Sequence, residues 1–453
     1  APSQSLLPRV ELSRMHSGQQ QGRDGSNGEV SVPPTFVPGF HDRAAVEKMT
    51  YRRLGGTGLV VSALGCGASG FGGCFGDTDD EESCRVIREA IRRGVNYIDT
   101  APWYGQGRSE EVLGRALREV PREAYYIATK AGRYSLDPLH MFDFSAKRLE
   151  CSARESLARL GLDYVDVFQV HDVEFAPSKA VLLEETLPAL GRARDAGLAR
   201  FVGVTGYPTA ELMALLRKSP IALDTVLSYC HYTLFDTSLA DTLLPLAERK
   251  GVGLVNAAPL GMGLLTADGP QDWHPGPPGL KARCRQAAEL CLSRGVNLSR
   301  LAINFPVNCQ RLPTTVVSYV SMSQLETNLA AATQELSLHE SETLHQVRAI
   351  LHPGPAADPG SGGLGLESEG PGWPARARPG HEPNSATACG SASTSASSNP
   401  GVEREVEDPG LGPSQFGPGT GAGPDSEPDP ERGLDPEVGP AGEHGEAPWG
   451  ERA

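Results

Sequence analysis

No run of apolar residues in this 453-residue chain approaches the roughly 20 needed to span a membrane, so no membrane partner is expected. No C-x-x-C pair occurs among the nine cysteines, an odd number, and no secretory apolar segment opens the chain. Reduced thiols in a cytoplasmic protein are therefore expected rather than a disulfide framework. No basic stripe is visible, and acids outnumber bases by 56 to 41, which argues against nucleic acid as a partner. Lysine is absent from Gly354 to Ala453, where 17 acidic residues face 5 arginines and carry 12 of the 15 net negative charges. That stretch is Gly, Pro, Ser and acid, with too little apolar surface to offset the entropy of ordering it. Residues 352–453 are therefore read as a disordered acidic tail, solvated along its length, with a tail-binding protein partner as the alternative. Residues 1–47, with "SGQQQGRDGSNG" in their middle, are read as a disordered N-terminal extension. The folded domain is expected over 48–351.

What is present alternates. "TYRRL" and "LVVSALG" flank "GGTG", which predicts a β-hairpin turned on glycine. Helical stretches at 79–93, 109–119, 145–160, 182–196, 209–218, 238–250, 280–294 and 323–333 then interleave with short apolar strands. The strands fall at 97–99, 125–129, 165–170, 201–205, 225–227, 253–257 and 315–317. With "LVVSALG" as the first, there are eight of each. Several helices close on basic residues and a glycine before the next strand, as in "RRGVNYID", "RDAGLARFVGV" and "ERKGVGLVN". Cations suit the negative helix end and glycine the left-handed position after it. Strict alternation implies a parallel sheet covered by helices, and eight units in about 300 residues imply a (β/α)₈ TIM barrel with an N-terminal hairpin. The rival is a doubly wound nucleotide-binding sheet, for which "GCGASG" at 65–70 offers a G-x-G-x-x-G match. A helix should open inside that motif. Here "FGGCFGD" intervenes, so the stretch reads as a loop at a strand end.

In such barrels the site lies at the carboxyl ends of the strands. The second strand ends in Asp99, with Tyr104 on the loop beyond it. Lys130 sits at the tip of the third, and His171 and Asp172 at the tip of the fourth. Singly, each has a structural explanation: a capping Asp, an aromatic lid, a snorkelling Lys, a satisfied His. Together they are complementary. A phenol titrates near 10 on its own. An ammonium beside it favours the phenolate, a carboxylate holds that ammonium, and a neutral imidazole can hydrogen-bond the phenol oxygen. The set is expected to let Tyr104 exchange a proton near neutral pH. No serine or cysteine is paired with a base, and no Cys/His cluster has zinc spacing. The reacting partner should then be a carbonyl or an alcohol, with a cofactor carrying the harder step.

The stretches "GVNYIDTAPWYGQGRSEEVLGRAL", "YYIATKAG", "ESLARLGLDYVDVFQVHD", "FVGVTGYP", "GVGLVNAAPLGMGLLT" and "SMSQLETNLAA" resemble the aldo-keto reductase superfamily, in its order. The resemblance covers about 51–351. It implies a barrel binding NAD(P) without a Rossmann domain, and a catalytic tetrad Asp99, Tyr104, Lys130 and His171 with Tyr104 as proton donor in reduction. "VTGYP", "SYCHY" and "APLGMGLLT" are most similar to the aldose 1-dehydrogenase branch acting on L-galactose, L-fucose and D-arabinose. That branch oxidises the anomeric carbon with NAD to a lactone. By the same resemblance, cofactor contacts fall to Thr205, Tyr229, Leu260, Met262, Ser318, Ser321, Gln324 and Asn328. Substrate contacts fall to Trp103, Asp172 and Phe71, with the loops "RYSLDPLHMFD" and "GPQDWHPGPPG". Two positions depart from the family. Gly206 replaces an amide that holds the nicotinamide, and Ala257 replaces a tyrosine that stacks on it; Tyr229 is the aromatic that could compensate. Ser318 and Gln324 are neutral where NADPH users place cations for the 2′-phosphate, so NAD is expected over NADP. The competing readings are an NADPH-dependent aldehyde or ketone reductase and a cofactor-binding regulatory subunit.

Overall fold

The computed structural model describes residues 32–270, 272 and 274–353. The predicted tail beyond 353, the extension up to 31, and positions 271 and 273 of the second substrate loop lie outside them. Strands β1 (Tyr51–Arg53) and β2 (Val60–Ser62) form the expected antiparallel hairpin. Then follow β3 (Leu64–Gly67), β4 (Tyr97–Asp99), β5 (Tyr126–Ala131), β6 (Val165–Val170), β7 (Ala199–Gly206), β8 (Thr225–Tyr229), β9 (Gly253–Ala257) and β10 (Thr314–Val317). Each pairs in parallel with the next, and β10 pairs back onto β3, closing an eight-stranded barrel. "LVVSALG" serves twice, as hairpin through Ser62 and as barrel wall from Leu64. The corner is locked by Asn96, whose carboxamide oxygen accepts from Ser62 N at 2.7 Å while its backbone N–H donates to Ser62 Oγ at 3.0 Å. Leu54, Leu59 and Val61 of the hairpin plug the barrel from below, packing with Tyr97, Val167 and Val255.

The helices are α1 (Arg43–Val46), α2 (Asp80–Arg92), α3 (Arg108–Leu117), α4 (Ala146–Leu160), α5 (Leu187–Asp195), α6 (Thr209–Lys218), α7 (Leu243–Lys250), α8 (Pro278–Ser293), α9 (Leu298–Val307), α10 (Met322–Thr333) and α11 (Leu338–Leu351). Caps set their starts: Asp79 accepts from Glu82 N at 2.7 Å ahead of α2, and Ser145 from Arg148 N at 3.3 Å ahead of α4. Gly94, Gly197 and Gly251, read as helix-ending glycines, all have positive φ. The G-x-G-x-x-G match is a strand end followed by a 3₁₀ turn over Ala68–Gly72, with the helix beginning only at Asp80.

Two features correct the reading from sequence. Two helices, not one, separate β9 from β10. The predicted 280–294 helix exists as α8, but it packs against α11 outside the wall. The helix that covers β10 and α10 is the unpredicted α9. It carries Pro306 near its end, which reads as a breaker in sequence but is tolerated close to a helix terminus. The second correction is the boundary at 47. Residues 32–47 include α1 and pack on the barrel: Thr35 Oγ1 accepts from Asn96 Nδ2 at 2.9 Å, Asp42 N donates to Arg92 O at 2.8 Å, and Val46 is buried. The eight cysteines among the described residues are free thiols. No helix among these residues is long and apolar enough to cross a membrane.

Candidate active site

Alternate residues of a strand face one side, and here that parity builds the site. The lower inward layer is apolar, with Tyr97, Ala128, Val167, Leu227, Val255 and Val316. One step up each strand of the same parity stand Asp99 on β4, Lys130 on β5, Gln169 then His171 on β6, Tyr229 on β8, Ala257 on β9 and Ser318 after β10. The structure thus brings the four predicted catalytic residues together. Lys130 is 1% exposed. Its ammonium binds the Asp99 carboxylate and donates to Thr100 O at 2.8 Å and to Tyr104 Oη at 3.3 Å. Gln169 Nε2 donates to the other Asp99 oxygen at 3.0 Å. The Tyr104 and His171 rings meet edge-on, with centroids 5.8 Å apart. Tyr104 is not on a strand. Its loop is clamped by Gly72, where a Cβ would lie 2.5 Å from the Tyr104 backbone.

The electrostatics differ from expectation in one respect. Burial pushes the Tyr104 phenol up to about 12, outweighing the pull of Lys130, while Asp99 and Asp172 add to the rise. The phenol therefore does not titrate near neutrality. Burial, then Lys130 and Arg133, hold His171 well below its ordinary value, so it is a neutral imidazole. Lys130 is disfavoured by burial, but Asp99 and Tyr104 more than compensate, and it stays charged.

Beside the tetrad lies a residue that sequence reasoning missed. Arg133 Nη1 donates to Asp172 Oδ2 at 2.7 Å, both side chains 4% exposed. The guanidinium carbon stands 3.6 Å from the Trp103 ring centroid. Only its place in the "RYSLDPLHMFD" loop marked it. Asp172 N donates to Thr205 Oγ1 at 3.2 Å. Next, Glu174 Oε1 accepts from Tyr207 N at 2.9 Å and from Tyr229 Oη at 3.4 Å. Burial and the neighbouring Asp172 push its carboxyl up to about 8. Its other oxygen fills the space a side chain at 206 would need, because a Cβ there would lie 2.6 Å from Glu174 Oε2. A side chain at 206 would have to displace that carboxylate oxygen. Gly206→Asn, which places an amide there, should destabilise the fold by about 1–3 kcal/mol through overpacking. Thermal denaturation reads this, and adding Glu174→Ala should recover part of the loss.

The mouth opens into a cleft of ≈ 1190 Å³ running from Asp99 and Tyr104 out to Asn328. Of the residues expected at cofactor or substrate, Thr205, Tyr229, Leu260, Met262, Ser318, Gln324, Asn328, Trp103 and Asp172 line it. Tyr229 sits opposite Ala257 in the sheet register. Two expected residues do not line it. Phe71 is fully buried in the outer core, because its turn folds inward. Ser321 is spent as the N-cap of α10, accepting from Gln324 N, and Ser323 faces the cleft instead. The outer arm suits a dinucleotide. Asn328 Nδ2 is buried with no partner among the described residues. Ser318 Oγ accepts from Gly70 N at 3.0 Å, and Gln324 Oε1 from Val320 N at 2.8 Å, leaving the Gln324 amide N–H groups as donors. Among the described residues lining the cleft, the only cations are Lys130 and Arg133, both at the tetrad end.

The sequence profile described as "Aldo/keto reductase family" matches residues 63–349. L-galactose dehydrogenase of Arabidopsis thaliana is 44% identical over 310 residues, covering 68% of this chain and 95% of the relative. D-threo-aldose 1-dehydrogenase of Pseudomonas sp is 30% identical over 321 residues, covering 65% and 97%. Among solved structures, the glycerol dehydrogenase of Gluconobacter oxydans is similar with a TM-score of 0.54 at 25% identity, covering 67% of this chain and 97% of that one. Barrel and mouth are those of an oxidoreductase that works on CH–OH groups with a nicotinamide cofactor. The chain belongs to the aldo/keto reductase family.

Proposed function

We propose that the protein oxidises the C1 hydroxyl of a neutral aldose to the lactone, with NAD as the cofactor. The observation that carries this reading is the buried Lys130 ammonium, bound between the Asp99 carboxylate and the Tyr104 phenol beside a neutral His171. When bound, the nicotinamide supplies the acceptor for the hydride leaving C1. Tyr104 Oη takes the proton of the C1 hydroxyl as the carbonyl forms. Lys130 stabilises the phenolate that accepts it, and Asp99 and Gln169 hold the ammonium in line. His171, uncharged, orients the substrate oxygen by a neutral hydrogen bond. The nicotinamide end falls to Thr205 and Tyr229, and the adenosine end to Ser318, Gln324 and Asn328. The relatives named for aldose dehydrogenation support the sugar reading. The test is the formation of reduced nicotinamide by the purified protein with NAD or NADP across a panel of aldoses. No turnover of any aldose alongside reduction of simple carbonyls would favour the reductase reading.

Cofactor choice follows from charge. The 2′-phosphate of NADP brings close to two negative charges, and charge-assisted hydrogen bonds are roughly twice as strong as neutral ones. Ser318 and Gln324 offer only neutral groups. Catalytic efficiency with NAD should exceed that with NADP by at least about tenfold, or about 1.4 kcal/mol. Gln324→Arg should narrow the gap. Equal use of both cofactors by the wild type would contradict the assignment.

A further inference from the structure

The Arg133–Asp172 ion pair is not needed by the reaction derived above, and its cost asks for a reason. Both side chains are 4% exposed, yet both line the cleft at the tetrad. Burying two charges costs several kcal/mol per ion before their attraction is counted, and an apolar pair of similar volume is often as stable or more so. The pair is also held rigidly. Trp103 covers the guanidinium face at 3.6 Å, and its own Nε1 donates to Ser135 O at 3.1 Å. Asp172 has a left-handed backbone, with φ 50, and its N–H is fixed on Thr205. Asp172 Oδ2 lies 3.8 Å from His171 Nε2. The pair therefore stands one group away from the atoms that handle the reacting C–O bond.

We propose that Arg133 and Asp172 together read the hydroxyl on the carbon next to the reacting one, making the enzyme selective for 2-hydroxy substrates. This rests on the aldose reading of the site. A secondary hydroxyl both donates and accepts. A guanidinium offers only donors and a carboxylate only acceptors, so the two side by side match one hydroxyl in both roles. C2 is the carbon bonded to C1 that bears such a group, and it comes to the pair when C1 lies between Tyr104 and His171. The charges at the mouth cancel: Lys130 with Asp99, Arg133 with Asp172, and an uncharged His171. No net positive charge is left to draw a phosphorylated or carboxylated sugar, so the preferred substrate is neutral. Trp103 and the exposed apolar Leu136 on the rim suit the C–H face of a sugar ring.

The test compares an aldose that the wild type oxidises with its 2-deoxy counterpart. A site built to hydrogen-bond a hydroxyl rejects the analogue lacking it strongly, so the wild-type kcat/KM ratio should be about a hundredfold or more. In Arg133→Met/Asp172→Leu, which removes both charges and every side-chain donor and acceptor of the pair while leaving neither ion unpaired, the ratio should collapse to below about threefold, because the discriminating pair is gone. Arg133→Lys keeps the charge without the planar fork and should fall between. Thermal denaturation and NAD titration by protein fluorescence establish that each variant is folded. A wild-type ratio near one overturns the proposal. So does a ratio unchanged in the folded double variant, which would make the pair structural. If the wild type oxidises no aldose, the aldose reading fails separately. The same ratio is then measured for reduction of 2-hydroxypropanal against propanal, with the same outcomes deciding.

Discussion

Tyr104→Phe is expected to lower turnover by about a hundredfold or more on every accepted substrate, the loss typical of a positioned general acid–base. The change removes one oxygen from a ring whose loop is clamped through Gly72, so folding and NAD binding should persist. It removes the hydroxyl held by Lys130 Nζ, and with it the atom proposed to take the substrate proton. The pH dependence provides a second reading. Burial places the phenol at about 12, and the proposed oxidation uses the deprotonated form as base. The wild-type rate of oxidation should therefore rise with pH through the alkaline range, while reduction, which needs the protonated phenol, should stay level and fall only as the pH nears 12. In Tyr104→Phe that dependence should flatten. Near-normal turnover in the variant would remove the tetrad mechanism, whatever the pH profile showed.

Much of this site was legible because one periodicity serves two purposes. The alternation that identifies β4, β5 and β6 also points Asp99, Lys130 and Gln169 inward, and each strand's last inward position is where a barrel places its chemistry. Residues outside that period were read less well. Arg133 stands three positions beyond Lys130, in a loop, where no spacing says which way a side chain turns. Glu174 lies in a turn for the same reason. Its effect is visible in sequence only indirectly, as a glycine at 206 where the family resemblance implies an amide. Phe71 was placed at the substrate as a loop aromatic, whereas its 3₁₀ turn carries it into the core. Ser321 could have been placed correctly. Ser-x-x-Gln ahead of an apolar run is a capping pattern, and the structure uses the serine as a cap. The missed α9 and α11 have a different cause. α9 is apolar almost throughout and contains Pro306. α11, with its Ser337–Glu340 capping box, buries only Thr343, Val347 and Leu351, a stripe too narrow to stand out beside a predicted tail.

Lys130→Met should be at least as damaging as loss of the phenol, and for two separable reasons. The first is stability. Lys130 is the counter-ion of a carboxylate that is 3% exposed, and removing one partner of a buried pair typically costs about 3–5 kcal/mol, because the other charge is left behind. Gln169 and the substrate pocket cannot replace an ammonium, so the melting temperature should fall steeply. The second is chemistry. Lys130 is the one neighbour that pulls the Tyr104 phenol downward, against burial and the two aspartates. Without it the phenol rises further, less phenolate is available at any working pH, and the phenolate that forms has no counter-charge. Turnover should fall by about a hundredfold or more. Adding Asp99→Asn separates the two effects. The double variant Lys130→Met/Asp99→Asn carries no unpaired ion, so it should regain most of the lost melting temperature while remaining inactive. Recovery of turnover together with stability would assign the lysine to folding alone. A single Lys130→Met variant that kept the wild-type pH–rate profile would equally remove its role in tuning Tyr104.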